Sequence, residues 1–281
     1  MSFNFFTLGG SQLWEDVFFY QKWRIQRHYR SKKYRLLDNW DIRRASGTFE
    51  DCRKAFVKFI EVYEIPRQQG ELIILLHGLA QTKNIFRPLL KELNKKGFNV
   101  AAINYPSTKK SIENINKQLE FFLTHCEDIT KVSFITQGTG CLILRDLISK
   151  SYGWQEKFKL NKVININPIN CGSDFFELLS RCKIFSLIFG PLLKEATPNS
   201  ARSISKLPTD INLGLIFCDT WLTRLLKPIT NKFKSVKLKS DTVETDFSDK
   251  TIYIKNKDYN IFNNPNTISA CLNFLSKGSF E

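Results

Sequence analysis

The sequence predicts an α/β fold with a doubly wound, mostly parallel sheet. From residue 71 onward, short apolar runs alternate with segments that have the periodicity of amphipathic helices. Three of the runs are continuously apolar, which is typical of parallel strands covered by helices on both faces. Open α/β sheets of this kind bind ligands at the carboxyl ends of the strands, so the residues that follow the strands are the candidate site residues.

Six strands and four helices are predicted in this part of the chain. The strands are residues 72–76, 98–105, 132–136, 163–169, 211–217 and 251–254. The helices are residues 84–96, 111–126, 140–152 and 264–276. Residues 170–210 interrupt the alternation, and we expect them to form a lid-like or cap-like insertion. The main domain is therefore expected to span residues 67–281.

Residues 1–66 differ in character and are predicted to form a small extension, a β-hairpin followed by a helix. Residues 17–27 and 34–37 are rich in aromatic and β-branched side chains, with a turn-like stretch between them. Thr48 is a candidate N-cap, and Asp51 three residues later can complete a capping box.

The chain is long enough for one large domain and is strongly basic. It has 281 residues, of which 42% are hydrophobic, and this content argues against wholesale disorder. The net charge of +15 has two interpretations, an anionic partner such as nucleic acid or lipid headgroups, or a solvated lysine-rich surface. The candidate contact for such a partner is a run of cations with no acid among them, namely Arg224, Lys227, Lys232, Lys234, Lys237 and Lys239.

The spacing of the cysteines and the length of the apolar runs indicate the cellular compartment. The seven cysteines include no C-x-x-C pair, which favours buried reduced thiols over a disulfide framework or a zinc site. No secretory pattern opens the chain, and no apolar run reaches the ~18 residues needed to span a bilayer. We therefore expect a cytoplasmic or organellar-matrix protein that is not secreted, with no transmembrane segment, no metal and no cofactor.

Several motifs in the main domain resemble one known family. The first strand ends in an HGL turn at 77–79, followed by RPL at 87–89 and YPS at 105–107. Near the carboxyl end lie INPINCGSD and NNPNTISACLNFLSKGSF. Together these segments resemble the bacterial lipase/esterase-like branch of the α/β hydrolases over most of residues 70–281. The resemblance implies an α/β-hydrolase fold with an oxyanion-loop-like set of His77, Gly78, Leu79 and Thr139.

The nucleophile position of that family is substituted here. Where the family has H-S-x-G-G after a strand, this chain reads QGTGC at 137–141, which puts Gly138 in the place of the serine. No G-x-S-x-G occurs anywhere in the chain. Glycine adopts the strained elbow conformation without penalty, so the turn can persist without its nucleophile.

The base and the acid also depart from the family pattern. The chain has three histidines, His28, His77 and His125, and all of them precede the elbow, whereas the family has its histidine last. The resemblance puts the lost histidine at Asp258. It puts the acid near Ser235, with three nearby carboxylates as alternatives, namely Asp219, Asp241 and Asp246.

The sequence therefore predicts a catalytically inactive hydrolase-fold protein that acts as a binding or scaffold component, with a protein partner or a larger assembly as its context. One alternative is an active ester or lipid hydrolase with a displaced or non-serine group, for which a Cys141–His77 pair and Asp258 are the candidates. Another is a module that binds an acyl chain or lipid and has lost turnover.

Overall fold

The structure is a computed structural model that describes residues 12–150, 153–218, 250–256 and 260–281. This part of the chain forms a four-stranded antiparallel sheet near the amino terminus and a six-stranded parallel sheet. The mostly parallel α/β architecture with a small antiparallel extension confirms the predicted fold class.

The amino-terminal extension contains four strands and a helix. The strands, β1 (Trp14–Tyr20), β2 (Trp23–His28), β3 (Tyr34–Leu37) and β4 (Arg43–Gly47), are adjacent in chain order, and α1 (Phe49–Val62) follows them. The predicted hairpin was too small, because residues 17–27 are two strands joined at Gln21 and Lys22, which both have positive φ. The predicted capping box between Thr48 and Asp51 is present at the start of α1.

The parallel sheet lies between two layers of helices. Its strands are β5 (Glu71–Leu76), β6 (Asn99–Ile103), β7 (Lys131–Gln137), β8 (Lys159–Ile166), β9 (Asn212–Cys218) and β10 (Thr251–Ile254). The helices outside the 170–210 segment are α2 (Arg87–Lys95), α3 (Ile112–Thr124), α4 (Gly140–Ser149), α5 (Trp154–Lys157) and α10 (Pro265–Lys277). One apolar core packs between the sheet and α3 and α4, and a second packs between the sheet and α2 and α10.

The spatial order of the strands locates a crevice. The order is β6-β5-β7-β8-β9-β10, so the chain runs outward from β5 to β6 and then crosses back to β7. The loops that follow β5 and β7 therefore leave the sheet in opposite directions. A crevice between such loops is where open α/β sheets bind their ligands.

Residues 170–210 lie between β8 and β9 and contain four short helices, namely α6 (Asp174–Arg181), α7 (Lys183–Phe189), α8 (Pro191–Glu195) and α9 (Pro198–Ser203). The Arg145 guanidinium of α4 holds both ends of this segment by donating to the carbonyl oxygens of Asn170 and Ala201. That this segment acts as a lid stays a prediction. Among the described residues, no helix is both long and apolar enough to cross a membrane.

Candidate functional site

The turn between β7 and α4 is a sharp elbow at Gly138. Gly138 has φ +58°, and its N–H donates to the carbonyl oxygen of Ile166 at 3.1 Å. A Cβ placed on Gly138 would have as its nearest neighbours the Cα of Gly78 at 3.9 Å and the Cδ1 of Ile169 at 4.0 Å. The left-handed backbone favours glycine here, whereas crowding does not require it. The elbow is therefore formed around a residue that carries no reactive group.

Gly140 brings α4 directly onto the end of β5. A Cβ at this position would lie 2.6 Å from the carbonyl oxygen of Leu76 and 3.0 Å from that of His77. Backbone atoms at these distances cannot move aside without disturbing the sheet, so only glycine fits. This close contact sets the elbow beside the loop that follows β5.

His77 is a buried, neutral histidine that supports that loop. Its Nδ1 lies 2.9 Å from the carbonyl oxygen of Gly78, and its ring stacks on Tyr105 with centroids 4.0 Å apart. Burial lowers the pKa of His77 from 6.5 to about 4. A carbonyl can only accept, so Nδ1 carries the proton and Nε2 is left as an acceptor. The Tyr105 hydroxyl donates to the carbonyl oxygen of His77, which fixes the turn further.

Comparison with known proteins was made by sequence and by structure. No family model matches the chain, and no curated protein matches it. A lipase from Bacillus licheniformis, in its mature form, superposes with a TM-score of 0.52 at 12% identity, over 74% of this chain and 91% of that one. This superposition, the order of the strands in the parallel sheet and the turn at Gly138 all indicate the same fold.

The chain has the α/β-hydrolase fold. Weaker superpositions include a monoacylglycerol lipase from Paleococcus ferrophilus, at TM-score 0.47 and 16% identity over 74% of this chain and 95% of that one. Phospholipase PlaB from Legionella pneumophila gives a TM-score of 0.43 at 18% identity over 57% of this chain. The match spans only 41% of that phospholipase.

Cys141 is the nearest thiol to the elbow in sequence, and its environment keeps it protonated. The side chain is buried, and burial raises the pKa of the thiol to about 12. Its Sγ lies 3.0 Å from the hydroxyl of Thr136, which is itself 2.6 Å from the Oδ1 of Asn165. No hydrogen bond joins Cys141 to His77 in the described part of the chain. The hydrolase fold therefore lacks an activated thiol at this position.

The loop after β5 is held by side chains that the sequence did not indicate. Gln81 Oε1 accepts the Gly78 N–H at 2.9 Å, so one backbone donor of the oxyanion-like loop is already occupied. The Ser107 hydroxyl accepts the Ala80 N–H at 3.1 Å, and Gln12 Nε2 donates to the carbonyl oxygen of Gln81 at 2.8 Å. No sequence pattern could have identified Gln12 and Gln81. Gln12 contacts a residue that is distant in the chain, and Gln81 accepts from Gly78 within an irregular turn.

The carboxyl ends of the strands also carry buried polar atoms without a partner among the described residues. These atoms are His77 Nε2, Gln137 Oε1, Thr139 Oγ1 and Asn165 Nδ2. Buried polar groups normally have a hydrogen-bond partner, which is a protein group, an ordered water or a ligand. The elbow region thus combines a turn at Gly138 with buried polar atoms that have no partner among the described residues.

Several predicted residues lie outside the part of the chain that the structure describes. They are Asp258, Ser235, the alternative acids Asp219, Asp241 and Asp246, and the cationic run Arg224, Lys227, Lys232, Lys234, Lys237 and Lys239. All seven cysteines are described, none of them forms a disulfide, and five are buried. Within the described ranges, no three His, Cys, Asp or Glu side chains are grouped so as to hold a metal ion.

Proposed function

We propose that this chain is a hydrolase-fold protein that does not hydrolyse esters and acts by binding, as a component of a larger assembly. The observation that carries the proposal is Gly138 at the elbow, where the fold would present its nucleophile. The elbow keeps its turn and its close contact with β5, but the position has no side chain that could attack a carbonyl carbon.

The surroundings of Gly138 supply no substitute chemistry. The thiol of Cys141 is protonated and buried next to the elbow, so it is a poor nucleophile. His77 donates its Nδ1–H to the Gly78 carbonyl, and burial lowers its pKa to about 4, so its Nε2 is a weak base. No histidine follows residue 125. Without a base, a threonine hydroxyl such as Thr136 is too weakly nucleophilic to react.

The unpartnered polar atoms around the elbow support a binding role. Gln137 Oε1 and Thr139 Oγ1 are buried without a partner in the described part of the chain. A bound group with its own donors would satisfy them, and the same atoms would be costly to leave unpaired. A site that retains polar groups and has lost its nucleophile is suited to holding a ligand without converting it.

An active ester or lipid hydrolase is the second candidate, because the solved structure that superposes with a TM-score of 0.52 is a lipase. In that case the catalytic group would have to come from residues beyond the described ranges, and Asp258 is the candidate there. The retained elbow geometry and the HGL turn are compatible with either function.

Labelling and turnover of the purified full-length chain distinguish the two candidates. We expect no labelling by a fluorophosphonate or by iodoacetamide at the elbow, and no hydrolysis of p-nitrophenyl butyrate above the buffer rate. The Bacillus licheniformis lipase is the positive control. Hydrolysis that disappears in Cys141→Ala or Asp258→Asn would overturn the non-catalytic proposal and support the hydrolase.

The binding role has its own readout. We expect a stoichiometric partner to co-purify with the parent chain and to be lost when Arg224, Lys227 and Lys232 are changed to glutamate. An acyl chain found by native mass spectrometry, with no partner, would instead identify a lipid-binding module.

A further inference from the structure

Exposed apolar side chains are concentrated at one place on the surface. Eleven large hydrophobic residues are exposed in the described ranges, and five of these lie within eleven consecutive positions. We call these five the apolar patch: Leu178, Ile184, Phe185, Leu187 and Ile188. Isolated exposed apolar residues are ordinary, but a cluster of this kind marks an interaction surface.

The patch is centred on α7, a helix with no buried residue. Ile184, Leu187 and Ile188 are 67%, 81% and 52% exposed, and their spacing places them on one helical face. Ser186 is the helix's one polar residue after Lys183, and its hydroxyl donates to the carbonyl oxygen of Ser180 at 2.8 Å. The outward face of α7 therefore presents hydrocarbon without hydrogen-bonding groups.

The rest of the fold holds the patch in place. A Cβ on Gly190, which ends α7, would lie 2.1 Å from the carbonyl oxygen of Thr108, so the two backbones are in direct contact. Glu195 of α8 accepts the Ile112 N–H at 2.7 Å, at the start of α3. The Ser173 N–H donates to the carbonyl oxygen of Ala196 at 2.9 Å. These contacts fix the segments on either side of α7, so its exposed side chains lie on a helix that is held against the rest of the fold.

The exposed charged side chains beside the patch are basic, whereas the nearby acids Asp174, Glu177 and Glu195 are partly buried. Lys183 begins α7 and Lys194 lies on α8, and both are exposed. Arg181 is exposed and pairs with Glu177 at 2.9 Å. The carboxylate of Glu195 is partly buried and accepts the Ile112 N–H, so it is less exposed than the neighbouring Lys194. An anionic surface that approaches α7 would meet hydrocarbon at the centre and cations at the margin.

We propose that the apolar patch inserts into the headgroup region of an anionic lipid bilayer. Apolar and aromatic side chains on one face of a helix, with cations beside them, are the features of interfacial membrane binding. A protein interface of similar size would offer hydrogen-bonding groups, which the outward face of α7 lacks. α7 has seven residues, too few to span a bilayer, so the contact is superficial. The proposal does not depend on whether the elbow supports chemistry.

Co-flotation of the full-length chain with lipid vesicles tests the proposal. The vesicles contain phosphatidylcholine and phosphatidylserine at a ratio of ~3:1, with pure phosphatidylcholine for comparison. The variant is I184S/L187S/I188S, whose three side chains are exposed and contribute little to folding. The matched control is V57S/V62S/Y63S, which removes three exposed apolar side chains from α1 and from the residue that caps it.

We expect the parent chain to bind the anionic vesicles and to bind pure phosphatidylcholine far more weakly. The patch variant should bind the anionic vesicles at least about tenfold more weakly, while the α1 control binds like the parent. K183E/K194E should weaken binding to the anionic vesicles alone. No flotation of the parent, or equal flotation of the parent and the patch variant, would overturn the proposal. A dimer or a protein complex that the patch variant disrupts, without vesicle binding by the parent, would also overturn it and identify a protein interface.

Discussion

A Cβ on Gly138 would lie 3.9 Å from the Cα of Gly78, so the elbow has space for the side chain that it lacks. By contrast, a Cβ on Gly140 would lie 2.6 Å from a carbonyl oxygen of β5. Two glycines two residues apart therefore have different reasons to be glycine. One permits a left-handed turn, and the other permits contact between two backbones.

Gly138→Ser should fold and should remain inactive. The cost is that of a left-handed backbone at a residue with a Cβ, about 1–2 kcal/mol of unfolding free energy. Ester hydrolysis should not appear, because no histidine follows the elbow and burial lowers the pKa of His77 to about 4, which makes its ring a weak base. Urea unfolding measures the cost, and p-nitrophenyl butyrate measures the activity. Hydrolysis by this single variant would mean that a base lies within reach of residue 138.

Gly140→Ala should destabilise the protein more than Gly138→Ala does. The new methyl group meets the carbonyl oxygens of Leu76 and His77, and neither can rotate away. We expect a loss of about 3 kcal/mol or more in unfolding free energy, compared with about 1–2 kcal/mol for Gly138→Ala. Urea unfolding of both variants provides the comparison. Equal losses would show that α4 can move away from β5 at little cost.

The parallel sheet could be predicted from the sequence because its strands are buried on both faces. β5 and β7 are buried along most of their length, and their predicted bounds fall within one residue of the observed ones. β8 is displaced, since it spans Lys159–Ile166 and its first residues are mostly polar, whereas 163–169 was predicted. The elbow was located by the resemblance to the α/β hydrolases, at the junction of β7 and α4. Its geometry follows from glycines that are visible in the sequence.

The antiparallel extension was harder to predict. The turn between β1 and β2 uses Gln21 and Lys22 at positive φ, without the glycine or asparagine that usually marks a two-residue hairpin. β4 is largely exposed and polar, so it has no apolar alternation. The contacts of Gln12 and Gln81 depend on residues brought together by tertiary structure, and no local pattern encodes them.

Glu15→Gln should be strongly destabilising, because Glu15 is a buried carboxylate between two cations. It accepts from Arg27 of β2 and from Lys110 in the loop before α3, and it joins the extension to the main domain. Glutamine would leave two largely buried cations without their counter-charge, at a cost of about 3–5 kcal/mol. The control is Glu113→Gln, which breaks an exposed pair with Lys117 and should leave the urea midpoint unchanged. Similar losses in both variants would contradict the structural role of Glu15.

His77 should make the protein less stable at acid pH. Its folded pKa of about 4 lies below its ordinary value of 6.5, so the unfolded chain takes up a proton first as the pH falls. The contribution of neutral His77 is therefore fully present above pH 6.5 and is lost between pH 6.5 and 4, by about 3 kcal/mol. His77→Asn cannot titrate in this range, so it should be less stable than the parent at neutral pH and should lack this part of the pH slope. Urea unfolding at several pH values measures both proteins, and parallel curves for the parent and His77→Asn would show that His77 is not buried as a neutral ring.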